Sequence, residues 1–439
     1  MIRFVAEGVH FNTPPRVIRP SVKVSYFRDP DGITLELVRY SQKNFNQTGQ
    51  RRNVMRKILD WKHGAFMMIL VFLSFGVIER PVFGADTIKI GFVGVMTGPN
   101  AISGEYASEG AKTAVAEINA AGGLRPAGTT TSRPIELIIE DDAGTPQIGI
   151  NAINKLVYEH KVFAVLGPDF SSVTFPSMFV AQQASVPQLT SSLAPKITAQ
   201  GNPWIFRSRP SDVVAAGVIV DYLVKELKLQ RIALSYTNIE YGISGIEEAE
   251  MDLGKLNVKP LVKISHGAGD RDLTAPATKL IEAKPEVIIS WGLPIEHSIL
   301  IRQLTQMGYN GKIYFSSLDD TFIRVAKEFS ENVYGTQNYV YTDPRPAAQA
   351  FRKTYVSMFK REPTQHSGAN YDGTYILKEA IEKAGLDGAK VRDFIHNLKR
   401  FQRAQGIFNF DKNGDCGYFQ CVIQTKGLVP HVLKQYGYE

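Results

Sequence analysis

Hydroxyl side chains lie at the ends of two apolar segments of the sequence. Ser171 and Ser172 follow the apolar run Val162–Gly167 and precede a helical pattern, and Ser191 and Ser192 follow the next short apolar run. At a turn from a strand into a helix, free backbone N–H groups and the helix dipole attract an anion, and serine hydroxyls add donors. The pattern therefore favours a site for a small carboxylate. The alternative is that these serines only cap the helix or belong to ordinary turns.

The sequence has no arrangement of residues typical of catalysis. Its eight His show no metal-ligand spacing, and it contains neither a Gly-x-Ser-x-Gly motif nor a phosphate-binding loop. On one strand Cys416 and Cys421 would point to opposite faces, so we expect free thiols, whereas a fold-back over Lys412–Gly417 would allow a disulfide. Two cysteines are too few for a metal site. We expect a binding protein with no enzyme activity, cofactor or metal.

The excess of positive charge is confined to the start of the chain. Residues 1–64 contain 12 of the 50 Lys and Arg residues and 5 of the 43 Asp and Glu residues, which leaves 38 of each sign in residues 65–439. This neutral remainder offers no basic face that would attract phosphates. We therefore expect no nucleic-acid partner. The length of 439 residues leaves room for two or three domains.

A short apolar segment has the features of an export signal. Basic residues from Arg51 to Lys62 precede the run Ala65–Val77, and the small residues Gly84 and Ala85 end the segment. As a helix the run would rise about 20 Å, less than the roughly 30 Å of a bilayer core. We predict a signal peptide over residues 55–85 and a periplasmic or otherwise extracytoplasmic mature protein, with a buried helix as the alternative.

Residues 1–54 precede this signal, which predicts that Met55 is the true initiator. The stretch Tyr26–Leu37 reads as two alternating strands around an Asp-Pro-Asp-Gly turn, a hairpin. With Gly8–Phe11 it resembles the closing hairpin of the glyoxalase-like (vicinal oxygen chelate) fold, in which the residue matching Glu36 is a metal ligand. The other ligands of that family have no counterpart here, and one carboxylate does not hold a catalytic metal. We interpret residues 1–54 as a fragment without activity.

From residue 86 onward, short apolar runs alternate with amphipathic ones. The predicted strands are Ile88–Met96, Ile135–Glu140, Val162–Gly167, Arg231–Tyr236, Val258–Ile264, Val287–Trp291, Lys312–Ser316, Phe408–Phe410 and Tyr418–Thr425. The predicted helices are Glu105–Ala121, Gln147–His160, Thr174–Ala184, Val213–Lys228, Ser244–Leu256, Leu273–Ala283 and Glu296–Met307, followed by a mostly helical block, Ala347–Leu398. This pattern predicts an α/β fold with two doubly wound parallel-sheet lobes and a crevice between the carboxyl ends of their strands.

Several short stretches follow one another in an order and spacing typical of one family. They are Ile90–Pro99 with Gly104, Ala114–Gly123, Glu140–Asp142, Val165–Pro168 with Ser171 and Ser172, Val186–Gln188, Phe206–Asp212, and Tyr371 with Asp372. Over residues 86–439 the chain thereby resembles the type I periplasmic binding proteins, in particular the receptors for branched-chain amino acids (leucine, isoleucine and valine).

This resemblance implies two lobes, joined by three crossovers, that close over a small solute. The receptor would act as a monomer and deliver the solute to the permease and ATPase subunits of an ABC transporter. We assign residues 86–207 and 335–405 to the first lobe, and residues 208–334 and 406–439 to the second. A ligand sensor of the same fold is the alternative, and an enzyme built on the N-terminal fragment is a remote one.

The resemblance also implies which residues contact the ligand. The hydroxyl matching Ser171 and the adjacent amides would hold a carboxylate, Tyr241 would cover the site, and Ser103 would enlarge it where an aromatic residue is usual. The full set of expected ligand contacts is Ser103, Phe170, Ser171, Ser172, Ser191, Ser192, Leu193, Tyr241, Trp291, Leu293 and Asp319.

The identity of the solute stays open at this point. Amino-acid receptors of the family hold the α-ammonium with a carboxylate and a Tyr, because a buried ammonium without a partner costs several kcal/mol. Here the Tyr position falls on Leu293 or Pro294, and the carboxylate position falls near Leu318 and Asp319. If Asp319 faces the crevice, the ammonium has a partner. If Leu318 faces it, the pocket suits an aliphatic or aromatic acid.

Overall fold

The computed structural model describes four short strands among residues 10–40, and then residues 86–437 except positions 317 and 418. The chain divides into two compact units, Met1–Val82 and Phe83–Glu439. The predicted signal peptide, residues 55–85, lies outside the described residues. Within the described part of the chain, none of the helices is both long and apolar enough to cross a membrane.

The described part of the first unit is an antiparallel sheet. Its strands are β1 (His10–Phe11), β2 (Arg16–Arg19), β3 (Val22–Arg28) and β4 (Thr34–Tyr40). Strand β3 pairs with the other three. Its pairing with β4 begins at Arg28 opposite Thr34, which confirms the predicted hairpin. The likeness to a glyoxalase-like domain stays a prediction.

The first lobe of the second unit is a five-stranded parallel sheet in the order β6-β5-β7-β8-β9. The strands are β5 (Ile88–Gly94), β6 (Ile135–Asp141), β7 (Ala164–Leu166), β8 (Gln188–Thr190) and β9 (Ile205–Arg207). The helices between them are α1 (Ala101–Ala120), α2 (Pro146–Asn154, continued by a π-helical turn Lys155–Glu159), α3 (Ser171–Gln183) and α4 (Lys196–Ala199).

The period-two alternation of these strands explains why helices cover both faces of the sheet. In β5, Ile90 and Phe92 pack in a core with residues of α1, whereas their neighbour Val93 packs in a separate core with residues of α2. In β7, Leu166 joins the first core and Val165 the second. Because both sets of side chains are apolar, each strand is buried on both faces, and the doubly wound α/β prediction is confirmed.

The second lobe repeats this plan with a seven-stranded sheet in the order β11-β10-β12-β13-β14-β17-β18. The elements up to β14 are α5 (Asp212–Asp221, with a π-helical turn Tyr222–Glu226), β10 (Ile232–Thr237), α6 (Glu240–Lys255), β11 (Lys263–His266), α7 (Thr274–Glu282), β12 (Val287–Trp291), α8 (Pro294–Gln306), β13 (Lys312–Phe315), α9 (Asp320–Ala326, with a 3₁₀ turn Lys327–Ser330) and β14 (Tyr334–Gln337). Strands β10 to β14 pair in parallel. Strand β11 starts later than the predicted Val258 because Pro260 has no N–H to donate to a sheet.

The chain then returns to the first lobe before it ends in the second. Helices α10 (Pro346–Phe359), α11 (Gln365–Ala384) and α12 (Gly388–Asn397) and the short pair β15 (Phe401–Gln402) and β16 (Ile407–Phe408) belong to this return. The antiparallel strands β17 (Gln420–Lys426) and β18 (Val429–Tyr436) then complete the second sheet.

Two boundaries between the lobes differ from those predicted. Strand β14 lies in the second sheet and runs past position 335, where we expected the first lobe to resume. Phe408, Phe410 and Cys416 pack in the core of the first lobe, although residues from 406 onward were assigned to the second. Phe419 packs in the same core, so the last crossover lies between Phe419 and the start of β17 at Gln420. It separates the two buried free cysteines, because Cys421 packs in a core of the second lobe.

Candidate functional site

A cleft lies between the two lobes. Its lining residues are Ser103, Asp169, Phe170, Ser171, Ser172, Leu193, Arg209, Ile239, Tyr241, Leu293, Pro294, Asp319, Gln365 and His366. Apart from the last two, which begin α11, they all lie beyond the carboxyl ends of parallel strands. This is the place at which doubly wound sheets bind ligands, because the strand order reverses there and leaves a crevice.

The serine pair of the first lobe lies in the first turn of α3. The helix begins at Ser171 rather than at the predicted Thr174, and Phe170 is its N-cap without a side-chain cap bond. The Ser171 hydroxyl oxygen accepts hydrogen bonds from the backbone N–H groups of Leu193 (3.3 Å) and Ala194 (3.2 Å). Two donors use both lone pairs of a hydroxyl, so its own proton is left to donate. Ser171 therefore supplies a donor at a helix N-terminus, where amides also lack intrahelical acceptors.

The second serine pair does not line the cleft. The Ser192 hydroxyl contacts Thr174 Oγ1 (2.5 Å) and the carbonyl oxygen of Pro168 (3.1 Å), and Ser191 donates a hydrogen bond to Asp169 Oδ1. Both serines are fully buried. They therefore stabilise the wall beneath the cleft, and within their loop only Leu193 reaches it.

Trp291 likewise lies away from the cleft, contrary to its expected place over the ligand. It is 0% exposed, and its indole N–H donates to Asp212 Oδ1 at 3.1 Å. Helix α6 packs against the indole at Gly245, where an added Cβ would lie only 2.0 Å from the indole nitrogen of Trp291. The indole thus belongs to the core of the second lobe. Its neighbours Leu293 and Pro294 line the cleft instead.

The remaining predicted residues meet in the cleft. Ser103, in the first turn of α1, is 1% exposed, and its hydroxyl has no hydrogen-bond partner among the described residues. Tyr241, in the first turn of α6, faces it from the second lobe. A buried hydroxyl without a partner is costly unless a ligand or water satisfies it. Ser103 therefore marks a polar contact point within a mainly apolar part of the lining.

Asp319, rather than Leu318, faces the cleft. Leu318 is buried in a core of the second lobe, against Gly335 of β14. Asp319 is the N-cap of α9, and its Oδ1 accepts a hydrogen bond of 3.0 Å from the backbone N–H of Phe322. Its Oδ2 lies 3.2 Å from His366 Nε2, a side chain of the first lobe. Asp319 thus forms an ion pair across the cleft.

His366 connects two carboxylates. Its other ring nitrogen, Nδ1, lies 3.6 Å from Asp169 Oδ2. Burial by itself lowers the pKa of His366, but its contacts with Asp169 and Asp319 raise that pKa above the usual value. Burial likewise opposes ionisation of Asp169, whereas the contacts with His366 and Ser191 hold its pKa below the usual range. His366 therefore lies between two carboxylates and is hydrogen-bonded to Asp319 through Nε2, whereas its Nδ1 and Asp169 Oδ2 have no hydrogen-bond partner among the described residues.

Arg209 adds a second cation to the cleft. It is 4% exposed, and its Nε donates a hydrogen bond of 2.5 Å to the carbonyl oxygen of Ser191. Its Nη1 has no hydrogen-bond partner among the described residues. Burial lowers the pKa of Arg209, and the negative charges of Asp169 and Asp319 oppose that effect. A guanidinium stays charged in proteins, so an acceptor opposite Nη1 would be strongly favoured.

The sequence analysis did not place this charged cluster in the site. Asp169 and Arg209 lie in stretches that carried the family resemblance, but neither was chosen as a ligand contact. His366 is more than 150 positions further along the chain than Arg209. The available signal was the capping box of α11, formed by Thr364 and Ser367, because it places His366 in the first turn of a helix.

Two lobes around a cleft lined by hydroxyl, charged and apolar side chains define a solute-binding protein. Among the described residues, no group of three or more His, Cys, Asp or Glu side chains could hold a metal ion. The chain matches the periplasmic binding protein family over residues 87–422 and belongs to that family. The family consists of receptors and not of enzymes.

Named relatives agree with this assignment, and a solved structure shares the fold. The chain is 31% identical over 343 residues to an amino acid binding protein of Pseudomonas aeruginosa, covering 75% of this chain and 87% of that protein. It is 29% identical over 348 residues to the leucine-, isoleucine-, valine-, threonine- and alanine-binding protein of the same organism, covering 77% and 90%. The leucine-binding protein LivK from Thermotoga maritima superposes with a TM-score of 0.74 at 24% identity, covering 80% and 98%.

Proposed function

We propose that this protein is the extracytoplasmic solute-binding subunit of an ABC uptake transporter. Its ligand would be a small molecule with a carboxylate, held between the two lobes and delivered to a membrane permease with its ATPase. The relatives named as amino-acid-binding proteins support this proposal, since they match along nearly their whole length. A monomer suffices for this role, because both lobes of the cleft come from one chain.

The observation that carries the proposal is the hydrogen bonding of Ser171. With both lone pairs used by loop amides, its hydroxyl can only donate toward the cleft, at a helix N-terminus where the dipole favours an anion. The first lobe would bind the carboxylate through this donor. The second lobe would then close with Tyr241, Leu293 and Asp319 over the rest of the ligand and expel water.

Ligand binding tests the first part of the proposal. The full-length protein is screened by thermal shift against amino acids, aliphatic acids and aromatic acids, each paired with its primary carboxamide as the matched control. A bound acid raises the melting temperature by mass action, and calorimetry should give one site per chain. Closure should also lower the radius of gyration in solution. A carboxamide that binds as tightly as its acid, or no acid that binds, contradicts the proposal.

Deletion of the gene tests the transport role. Uptake of the labelled acid by the producing organism should fall when the gene is removed and recover when it is restored. A sensor of the same fold predicts another result, in which uptake is unchanged and only the cellular response to the acid is lost.

A further inference from the structure

We propose that the cleft selects organic acids without an α-ammonium group, because His366 occupies the carboxylate that would bind an ammonium and Arg209 offers a buried guanidinium to an anion. This inference rests on the proposed function and narrows its ligand class. It names Arg209 and His366 as the residues that determine the specificity.

The Asp319 carboxylate is not left for an incoming ammonium. Both oxygens of Asp319 are engaged, by the Phe322 N–H and by His366. Asp169 Oδ1 accepts from Ser191 and, at 3.3 Å, from Asn370. Asp169 Oδ2 has no hydrogen-bond partner among the described residues, but it lies 3.6 Å from His366 Nδ1 and in the field of Arg209, so an ammonium there would meet the cationic side of the cleft. An ammonium that took Asp319 would have to displace the imidazolium. That cation would then lose one of its two partners while it stays buried, which is unfavourable.

The cationic side of the cleft has an unused donor. Arg209 Nη1 has no partner in the described part of the chain, although Arg209 is nine-tenths buried and lines the cleft. A carboxylate satisfies this N–H with a charge-assisted hydrogen bond. An ammonium offers only donors and would be repelled by Arg209. The helix dipole at the start of α3, where Ser171 and Ser172 lie, adds to this preference for an anion.

Matched ligand pairs test the inference on the unmodified protein. For each acid found in the screen, calorimetry compares the acid with the amino acid of the same carbon skeleton, such as 4-methylpentanoate with L-leucine and 3-phenylpropanoate with L-phenylalanine. We expect the acid without the amino group to bind at least about tenfold more tightly. Equal affinity, or tighter binding of the amino acid, overturns the inference but leaves the proposed function intact. If no carboxylate binds at all, the inference and the proposed function are both wrong.

Variants then assign the effect to the two side chains. Arg209→Gln should weaken binding of the acid at least about tenfold. Arg209→Lys should bind the acid with an affinity between those of Arg209→Gln and the unmodified protein. Arg352→Gln, an arginine outside the cleft, is the matched control and should bind like the unmodified protein. His366→Gln should shift the affinity ratio at least about tenfold toward the amino acid, because it frees Asp319. An unchanged dissociation constant in Arg209→Gln, or an unchanged ratio in His366→Gln, overturns the assignment.

Asp319→Asn provides a measurement that does not depend on how His366→Gln folds. Under the inference the ammonium has no contact with Asp319, so the ratio of the two affinities should change by less than about threefold. A selective loss of amino-acid binding would show that Asp319 holds an ammonium and would overturn the inference.

Discussion

Replacement of Ser171 by Ala tests the donor at the start of α3. The hydroxyl is 2% exposed and accepts from the Leu193 and Ala194 amides, so its remaining hydrogen bond would go to the ligand carboxylate. A hydrogen bond to a charged group contributes about 1.5–3 kcal/mol, which corresponds to a dissociation constant weaker by about 10- to 150-fold. The two amides also lose their acceptor, so the ligand-free variant should unfold about 1–3 kcal/mol more easily.

Two further variants separate these effects. Ser177→Ala removes another buried hydroxyl of α3, which donates to the carbonyl of Val173 at 2.7 Å within the helix and does not line the cleft. It should leave the affinity unchanged. Ser171→Thr keeps the hydroxyl and should restore most of the binding. Calorimetric titration with the acid from the screen gives the affinities, and denaturant unfolding gives the stabilities. A dissociation constant of Ser171→Ala within about twofold of the unmodified protein would refute the donor role.

Two other predictions concern the core of the second lobe. Burial raises the pKa of Asp212 to about 7, so the folded state holds a proton that the unfolded state releases near its usual value of 3.8. The free energy of unfolding should therefore fall by up to about 4 kcal/mol as the pH rises from about 4 to 7, and Asp212→Asn should lessen this fall. Denaturant unfolding of the unmodified protein and of Asp212→Asn at pH 5 and 7.5 measures this fall. The prediction is wrong if the free energy of unfolding depends on pH in the same way in the two proteins. Trp291→Phe should cost about 1–3 kcal/mol of stability through a cavity and a lost hydrogen bond, without weakening ligand binding. A tenfold weaker affinity, measured by calorimetry, would place Trp291 in the site after all.

The sequence predicted the fold well because the relevant signals are local. The alternation of apolar runs with amphipathic segments is visible in any short window, and the position of a strand end predicts the edge of the sheet at which ligands bind. Ser171 was found in this way, whereas Ser103 and Tyr241 were implied by the family resemblance, and all three line the cleft.

Side-chain direction at a strand end was harder to predict. Trp291 follows Val287 and Ile289 at a spacing of two, and all three pack in one core under α5 and α6. Because side chains alternate along a strand, this spacing places the indole on the face that packs against the helices, away from the cleft. The prediction that Trp291 contacts the ligand followed the family resemblance instead of this spacing. The pairing of His366 with Asp319 had no local signal, because it joins residues of different lobes that only the folded chain brings together.

The late position of the last crossover has a practical consequence. Cys416 and Cys421 are both 0% exposed, and they lie in the cores of different lobes. A thiol reagent can reach either one only when its surroundings open. The protein therefore has one native reporter of local unfolding in each lobe, so mass spectrometry of the two labelled peptides can time the opening of each lobe without any engineered probe.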